Sequence, residues 1–449
     1  MRRLPLYTLP ATVLLALGCV APPVSLRLPA PRPLGEGLGV YASPRPPSFG
    51  EPTGALALRD ALSLALVRNP ELGAASWDVR AAEARALQAG LRPNPELEVE
   101  AEEIARESGS AGLAGAEASL VLSQVVELGG KRAKRVRVAQ LDGELAGWDY
   151  ETKRLEVFSA VAEAFIEVLA AQERAALADD MARLAERGYQ TVAAKVKAGK
   201  EAPVEEDKAR VELAASRIEL AQAKRALAAR RRALAALWGS RSATFSPVSG
   251  QIDALAPVPP AEQLTPLLAQ NPDVARWAAE LRQRQAALAL EQASRVPDVT
   301  LSGGVAYFNE TDDGAFIVGV GLPLPLFDRN QGGIAEARAE LAKAREEQRA
   351  AEVQAHADLG EAHEGLASSH EEATALKAEV LPAAQRAFDA AQEGYRQGKF
   401  GYLEVLDAQR TLFEARQKLI ETLAAYHKAV VSVERLVGRT LTPESTNTN

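Results

Sequence analysis

Several residue types are scarce in this chain, and each scarcity removes a class of function. Its 449 residues include one cysteine, two methionines and four histidines. A single cysteine forms no disulfide within the chain, and so few soft ligands leave no zinc-spaced cluster. No apolar run after residue 22 is long enough for a membrane-spanning helix. Basic charge is also in deficit, with a net charge of −8, which argues against a nucleic-acid partner. No nucleophile–base set is apparent. Gly129-Gly-Lys-Arg132 lacks both the earlier glycine and the following Ser or Thr of a phosphate loop. The chain therefore reads as a non-enzyme, and no cofactor is expected.

Alanine, leucine, glutamate and arginine dominate what is there, the composition of long helices. At the N-terminus Arg2 and Arg3 precede a short apolar stretch that ends Ala16-Leu17-Gly18-Cys19. A basic start, a short apolar core and a small residue make residues 1–18 a secretory signal. Residues 19–55 are proline-rich and aperiodic, an extended tether without a core of its own.

Helical periodicity predicts helices over 56–67 and 71–91, the first closed by Asn69-Pro70 and the second by Arg92-Pro-Asn-Pro95. The same pair recurs at 261–269 and 273–295, closed by Asn271-Pro272 and Val296-Pro297. Pro70 and Pro95 are repeated at Pro272 and Pro297, an offset of 202 in both cases. Long helical patterns follow at 131–197 and 332–397, the second interrupted only by Pro382. Each turns at a glycine, Gly199 or Gly398, into a shorter returning helix, 204–238 or 403–437. The chain is thus a duplicated helix–hairpin–helix–helix unit, 56–238 and 261–437, with 239–260 as a linker and 438–449 as a polar tail. At 1.5 Å per residue each long helix reaches roughly 100 Å, so it needs parallel neighbours in a coiled coil or tube.

Between the helices lie two stretches of period-two alternation, about 95–127 and 297–327. The first opens Pro95-Glu-Leu-Glu-Val-Glu-Ala-Glu102. Alternation puts acids on one strand face and aliphatics on the other. Each stretch reads as two strands around a polar loop, 106–112 and 310–314. Four strands with an oily face do not close a membrane barrel alone, because the smallest need about eight and open edges are not tolerated in lipid.

Two strand hairpins amid long duplicated helices, behind an acylation-type signal, resemble the TolC family of outer-membrane channels. The motifs are most similar to its heavy-metal (cobalt–zinc–cadmium resistance) branch. They are Asn69-Pro-Glu-Leu72, Arg92-Pro-Asn-Pro-Glu-Leu97, Glu127-Leu-Gly-Gly-Lys-Arg132, Ala198-Gly-Lys200 with Pro203-Val-Glu-Glu206, Leu322-Pro-Leu-Pro-Leu-Phe-Asp-Arg-Asn-Gln-Gly332, and Tyr395-Arg-Gln-Gly398 with Leu403-Glu-Val-Leu-Asp-Ala408. They span nearly the whole mature chain in order. The resemblance implies a mainly α fold with a small antiparallel β part. Three chains would build a 12-stranded transmembrane β-barrel continued by an α-barrel across the periplasm. It further implies a homotrimer in outer-membrane lipid that works with a periplasmic adaptor (membrane fusion) protein and an inner-membrane RND-type pump. The rival readings are a sibling channel for drug or protein export and a periplasmic coiled-coil lipoprotein scaffold.

Candidate residues follow. Cys19 is the lipidation site, unless the signal is a plain one. Leu97, Val99, Ala101, Ala118, Leu120, Leu122, Val299, Leu301 and Val305 face lipid, with Tyr307, Phe308 and Phe316 near the loop tips. Glu96, Glu98, Glu100, Glu102 and Asp298 face the lumen, as an acidic duct or as an ordinary solvated face. Lys131, Arg132, Lys134, Arg135 and Arg137 crowd a helix N-terminus, against headgroups or against acids of neighbouring helices. Gly199, Lys200, Pro203, Val204, Gly398, Lys399, Tyr402 and Leu403 are the adaptor-contact tips. Glu205, Glu206, Asp207 and Asp407 are candidates for the periplasmic entrance. His356, His363 and His370 recur every seven residues, and consecutive members are roughly 10 Å apart along the axis, too far to share one ion. Helix-seam packing is preferred to a metal role for them.

Overall fold

In a computed structural model of the chain, residues 51–102 and 117–441 are described. The signal, Cys19, most of the tether, the 106–112 loop and the end of the tail lie outside them. The order is β1 (Gly54–Leu56), α1 (Leu58–Arg68), α2 (Pro70–Ala89), β2 (Glu96–Glu102), β3 (Glu117–Val126), α3 (Lys131–Lys197) and α4 (Pro203–Ala236). The second half runs β4 (Phe245–Val248), α5 (Ala261–Leu264), a 3-10 turn (Thr265–Gln270), α6 (Pro272–Ala275), α7 (Trp277–Ser294), β5 (Val299–Phe308) and β6 (Asp313–Gly321). It closes with α8 (Gln331–Ala375), a π turn (Leu376–Val380), α9 (Leu381–Arg396) and α10 (Tyr402–Val437).

The duplication is built on one repeated cap. Asn69 Oδ1 accepts from Leu72 N at 2.9 Å, while its Nδ2 donates to Leu237 O at 2.7 Å. Asn271 Oδ1 accepts from Asp273 N at 2.7 Å, and its Nδ2 donates to Leu436 O at 2.8 Å. Each buried Asn therefore starts one helix and ends the returning one, and the proline after it costs no helical bond at the first position.

α3 is one unbroken helix of 67 residues. The 332–397 pattern is interrupted instead. Pro382 has no N–H to donate, and the helix widens just before it, with Leu381 N–H donating to Leu376 O. The 273–295 pattern likewise breaks at Arg276, which joins α6 to α7.

The 239–260 stretch is not a free linker. Its β4 pairs in parallel with β1, Gly54 opposite Phe245. Phe245, Val248 and Ile252 are buried with Trp238, Leu56 and Phe165 in one core around the middle of the helices. The sequence lacks any alternation there, because strands of three and four residues are too short to show it. A second core, with Val192, Phe388, Tyr395 and Tyr402, lies toward the tips. A third, with Leu264, Leu359, Leu366, Tyr426 and Val433, holds the second repeat's short helices.

Candidate functional site

The four long strands form one antiparallel sheet in the order β2-β3-β5-β6. Its register fixes which side chains share a face. Leu97 stands opposite Leu122, Gly303 and Val318 in turn, and Val99 opposite Leu120, Val305 and Phe316. These residues, with Leu301 and Val320, are exposed together, Phe316 at 90%. A patch of this kind on a lone chain is unfinished in water.

The other face carries Glu96, Glu98, Glu100 and Glu102 on β2. Across from them lie mostly small residues, Ser119, Ser123, Ser302, Gly304, Ala306, Ala315 and Gly319, with the aliphatic Val121 and Ile317 in the row of Glu98. Some must be small. A Cβ on Gly304 would sit 2.3 Å from Leu120 O, and one on Gly319 would sit 2.4 Å from Ser302 Oγ. Gly303, one residue along and on the oily face, has open space. The acid face is thus crowded across β5 and β6 while the oily face is open.

Register adds two acids that the sequence reading missed. Glu102 pairs with Glu117, Glu117 with Phe308, and Phe308 with Asp313. The acid row therefore ends in a cluster at the loop end, legible had the alternation been read back one residue from Ala118. Phe308 falls on this acid face, so only Tyr307 and Phe316 join the oily one. Phe316 lies opposite Val305, inside the sheet rather than at its tip. Tyr307 donates to Asp312 Oδ1 at 2.7 Å and steadies the β5–β6 turn.

Asp298 departs from the row. It lies just before β5, where its Oδ1 accepts from Leu128 N at 2.9 Å and Lys131 Nζ at 2.8 Å. Burial works against its charge, but the Lys131 ammonium and the Leu128 N–H outweigh it and hold Asp298 below the usual carboxylate range. Asp298 is a latch between sheet and helix. Arg135 is another, gripping Glu127 through two bonds of 2.6 and 3.2 Å and donating to Ala89 O at 3.1 Å. The basic cluster thus divides. Lys131, Lys134 and Arg135 are spent on the junction, whereas Arg132 and Arg137 are exposed.

At the far end each hairpin turns through a left-handed glycine, Gly199 at φ +69° and Gly398 at φ +73°. Lys200 N–H donates to Lys195 O at 2.9 Å, and Lys399 N–H to Gly394 O at 2.8 Å. Gly199, Lys200, Pro203, Val204, Gly398, Lys399 and Leu403 are exposed at these tips. Tyr402 is not. It is 6% exposed, packs on Tyr395 with ring centroids 5.7 Å apart, and burial pushes its hydroxyl up to about 12. It is corrected from a contact residue to a core residue. Phe400, which the sequence reading passed over, is exposed in its place, lying against Gly394. Of the entrance acids, Asp207 and Asp407 are exposed, Glu206 binds Arg210 at 2.9 Å, and Glu205 binds Lys208 at 2.8 Å.

The three histidines are used separately. His363 Nε2 lies 2.9 Å from Pro259 O, His370 packs on Tyr426 at 5.8 Å, and His356 is exposed. Among the described residues no group of three or more His, Cys, Asp or Glu is disposed to hold a metal ion.

Comparison with known proteins places this architecture. The outer membrane efflux protein family matches residues 61–240 and 264–439. The cobalt-zinc-cadmium resistance protein CzcC of Cupriavidus metallidurans is 40% identical over 389 residues, covering 87% of this chain and 91% of that protein. The nickel and cobalt resistance protein CnrC of the same organism is 34% identical over 275 residues, 61% of this chain and 64% of that one. Among solved structures, CusC superposes with a TM-score of 0.70 at 20% identity, covering 92% of this chain and 99% of that one. VceC of Vibrio cholerae gives 0.70 at 20% identity, covering 85% and 96%. These two likenesses concern the fold. Sequence and fold agree that the chain belongs to the outer membrane efflux protein family, whose members are channels of the outer membrane.

Proposed function

We propose that the chain is one third of a homotrimeric channel carrying heavy-metal cations from an RND-type inner-membrane pump and its periplasmic adaptor across the outer membrane. The observation that carries this reading is the two-faced sheet, both of whose edges are unpaired among the described residues. Open edges cannot stay in lipid. Three copies of four strands close at twelve, the oily face turned to lipid and the row Glu96, Glu98, Glu100, Glu102 to the passage. Repeated three times, that row lowers the electrostatic potential along the passage and enriches cations.

The cargo reading is supported by the metal-resistance names of CzcC and CnrC. It needs no metal ligands in the channel, because a passive duct selects by charge and leaves metal choice to the pump. The tips, with Gly199, Lys200, Pro203, Val204, Gly398, Lys399 and Leu403 exposed, are offered to the adaptor. Phe400 adds apolar surface there. A strain lacking the chain, challenged with zinc, cobalt, cadmium, copper and silver beside dyes and antibiotics, tests the assignment. Metal sensitivity is expected, and sensitivity to drugs alone overturns it.

A further inference from the structure

Each strand of the sheet meets the helices beside an arginine. Arg92 lies four residues before β2, Arg132 six after β3, Arg295 four before β5 and Arg329 eight after β6. Contacts across the junction hold them near one level. Gln124 Nε2 donates to Pro93 O at 3.0 Å, a Cβ on Gly129 would lie 3.1 Å from Val296 Cβ, and Asn330 Nδ2 donates to Glu291 O at 2.9 Å. All four arginines are exposed, and none pairs with an acid among the described residues. Two acids of the junction are already taken, Glu127 by Arg135 and Asp298 by Lys131. The opposite end of the sheet has the other sign. It carries Glu102, Glu117, Asp312 and Asp313, and the four strands contain no Lys or Arg.

The oily stripe of β6 outruns the sheet at this level. Phe316, Val318 and Val320 alternate along the strand, and Leu322, Leu324 and Leu326 continue the step past its last paired residue, Gly321. Pro323 and Pro325 lack the N–H that a further ladder needs, and Leu326 N–H turns back to Leu324 O at 2.8 Å. Regular strand pairing with a second copy is thereby closed to this segment. Yet Leu324 is 71% and Phe327 89% exposed. Strand length sets where they lie in a bilayer. The 10 residues of β5 span about 33 Å, or about 25 Å along the membrane normal at a tilt near 40°. That already fills the apolar band of an outer-membrane barrel. Residues 322–329 therefore stand in the headgroup zone, oily side chains beside arginines.

We propose that residues 322–327 and the four arginines form a collar that binds anionic phospholipid in the periplasmic leaflet of the outer membrane. Leu324 and Phe327 enter the acyl boundary, and Arg92, Arg132, Arg295 and Arg329 take the phosphates. The inference rests on the barrel reading and adds its lipid. Arginine grips a phosphate through two parallel N–H bonds, and basic clusters beside an apolar segment select anionic headgroups. Three copies of the four set twelve arginines around one rim. The acid-rich rim at the loop end repels the same headgroups.

The test uses the full-length channel, reconstituted in vesicles of equal phosphatidylglycerol and phosphatidylcholine and extracted in mild detergent, with the retained lipids counted by mass spectrometry. Phosphatidylglycerol should be enriched over phosphatidylcholine, and R92Q, R132Q, R295Q and R329Q combined should abolish the enrichment. R187Q, R225Q, R232Q and R345Q combined remove the same charge from exposed helix sites and should keep it. Equal loss in both variants, or displacement of the lipid by inorganic phosphate at constant ionic strength, overturns the collar. Should the first variant fail to assemble, R295Q with R329Q should lose part of the enrichment, and full retention overturns the collar. Phe327→Trp reads the seating without touching charge. Its added emission should be quenched by lipids brominated near the headgroup, and unquenched emission overturns the seating. A wild-type trimer without enrichment overturns the collar and leaves the channel standing. A wild-type chain that stays out of the vesicles overturns the barrel reading itself.

Discussion

In the first half of the chain the sheet passes into α3 through Gly130 at φ +70°, and the helix then runs to its tip unbroken. In the second half it passes into α8 through Asn330 at φ +57°, and the tip is reached only across a π turn. The first exit is latched by charge, Arg135 on Glu127 and Lys131 on Asp298. The second is latched by an amide, Asn330 Nδ2 donating to Glu291 O at 2.9 Å. One hairpin brings five glutamates to the sheet, Glu117 among them, and the other brings Ser302, Gly304 and Ala306 to the same face with one acid, Asp313. What the halves share are backbone requirements: a capping Asn-Pro, a left-handed residue at the exit and a glycine at the tip. What differs is side-chain chemistry. That contrast fits a folding role for the shared positions and, in the proposed channel, a conduction role for the acid row.

The largest effect is expected where the two faces of β5 differ. Gly304→Ala drives its Cβ into Leu120 O, so the sheet must shift and the heat-resistant oligomer should be lost, while Gly303→Ala keeps it. Equal behaviour of the two variants on a heated gel would remove the distinction between a crowded face and an open one.

Next comes a buried acid without a counterpart. Glu434 stands near the end of α10 at the place where the first half has fully buried Ala235. Its Oε1 accepts from Leu441 N at 2.8 Å, and burial pushes its carboxyl up to about 7. The folded chain thus keeps a proton that the unfolded chain releases near the ordinary value of 4.5. Stability falls as pH rises from 4.5 toward 7 and stays reduced above it. Glu434→Gln should raise stability at pH 8 by up to about 3 kcal/mol and change little at pH 4. Thermal unfolding at the two pH values checks this, and a pH-independent gain would contradict it.

Asn69→Ala and Asn271→Ala should each cost about 1–2 kcal/mol, because each removes an N-cap and leaves a returning helix's carbonyl unbonded. Denaturant titration of both variants sharpens the comparison, and a cost at one site only would break the claimed equivalence. The smallest effect is expected at the exits. Gly130→Asn should be nearly neutral, since Asn330 already holds that conformation. Gly130→Ala should cost about 1 kcal/mol in the same titration.

Long-range order was legible in the sequence wherever one periodicity persisted. α3 and both returning helices run for many turns, and the proline spacing exposes the duplication. Local order set by tertiary contact was not. The β1–β4 pair is too short to carry alternation, and Tyr402 looks like a tip residue until Tyr395 is seen packed against it. Asp298 has the parity of a lumen acid, but Lys131, far away in sequence, claims it. Register, which added Glu117 and Asp313, depends on where the loop ends, and alternation alone leaves that open.

The acid row is the feature by which the first half differs most from the second, and conduction tests it most directly. The reversal potential of the reconstituted channel across a salt gradient, measured for the wild type and for Glu96, Glu98, Glu100 and Glu102 all replaced by Gln, reads its selectivity. A cation-selective wild type whose reversal potential moves toward zero in the variant is the predicted result. A channel with the same selectivity in both would contradict the account.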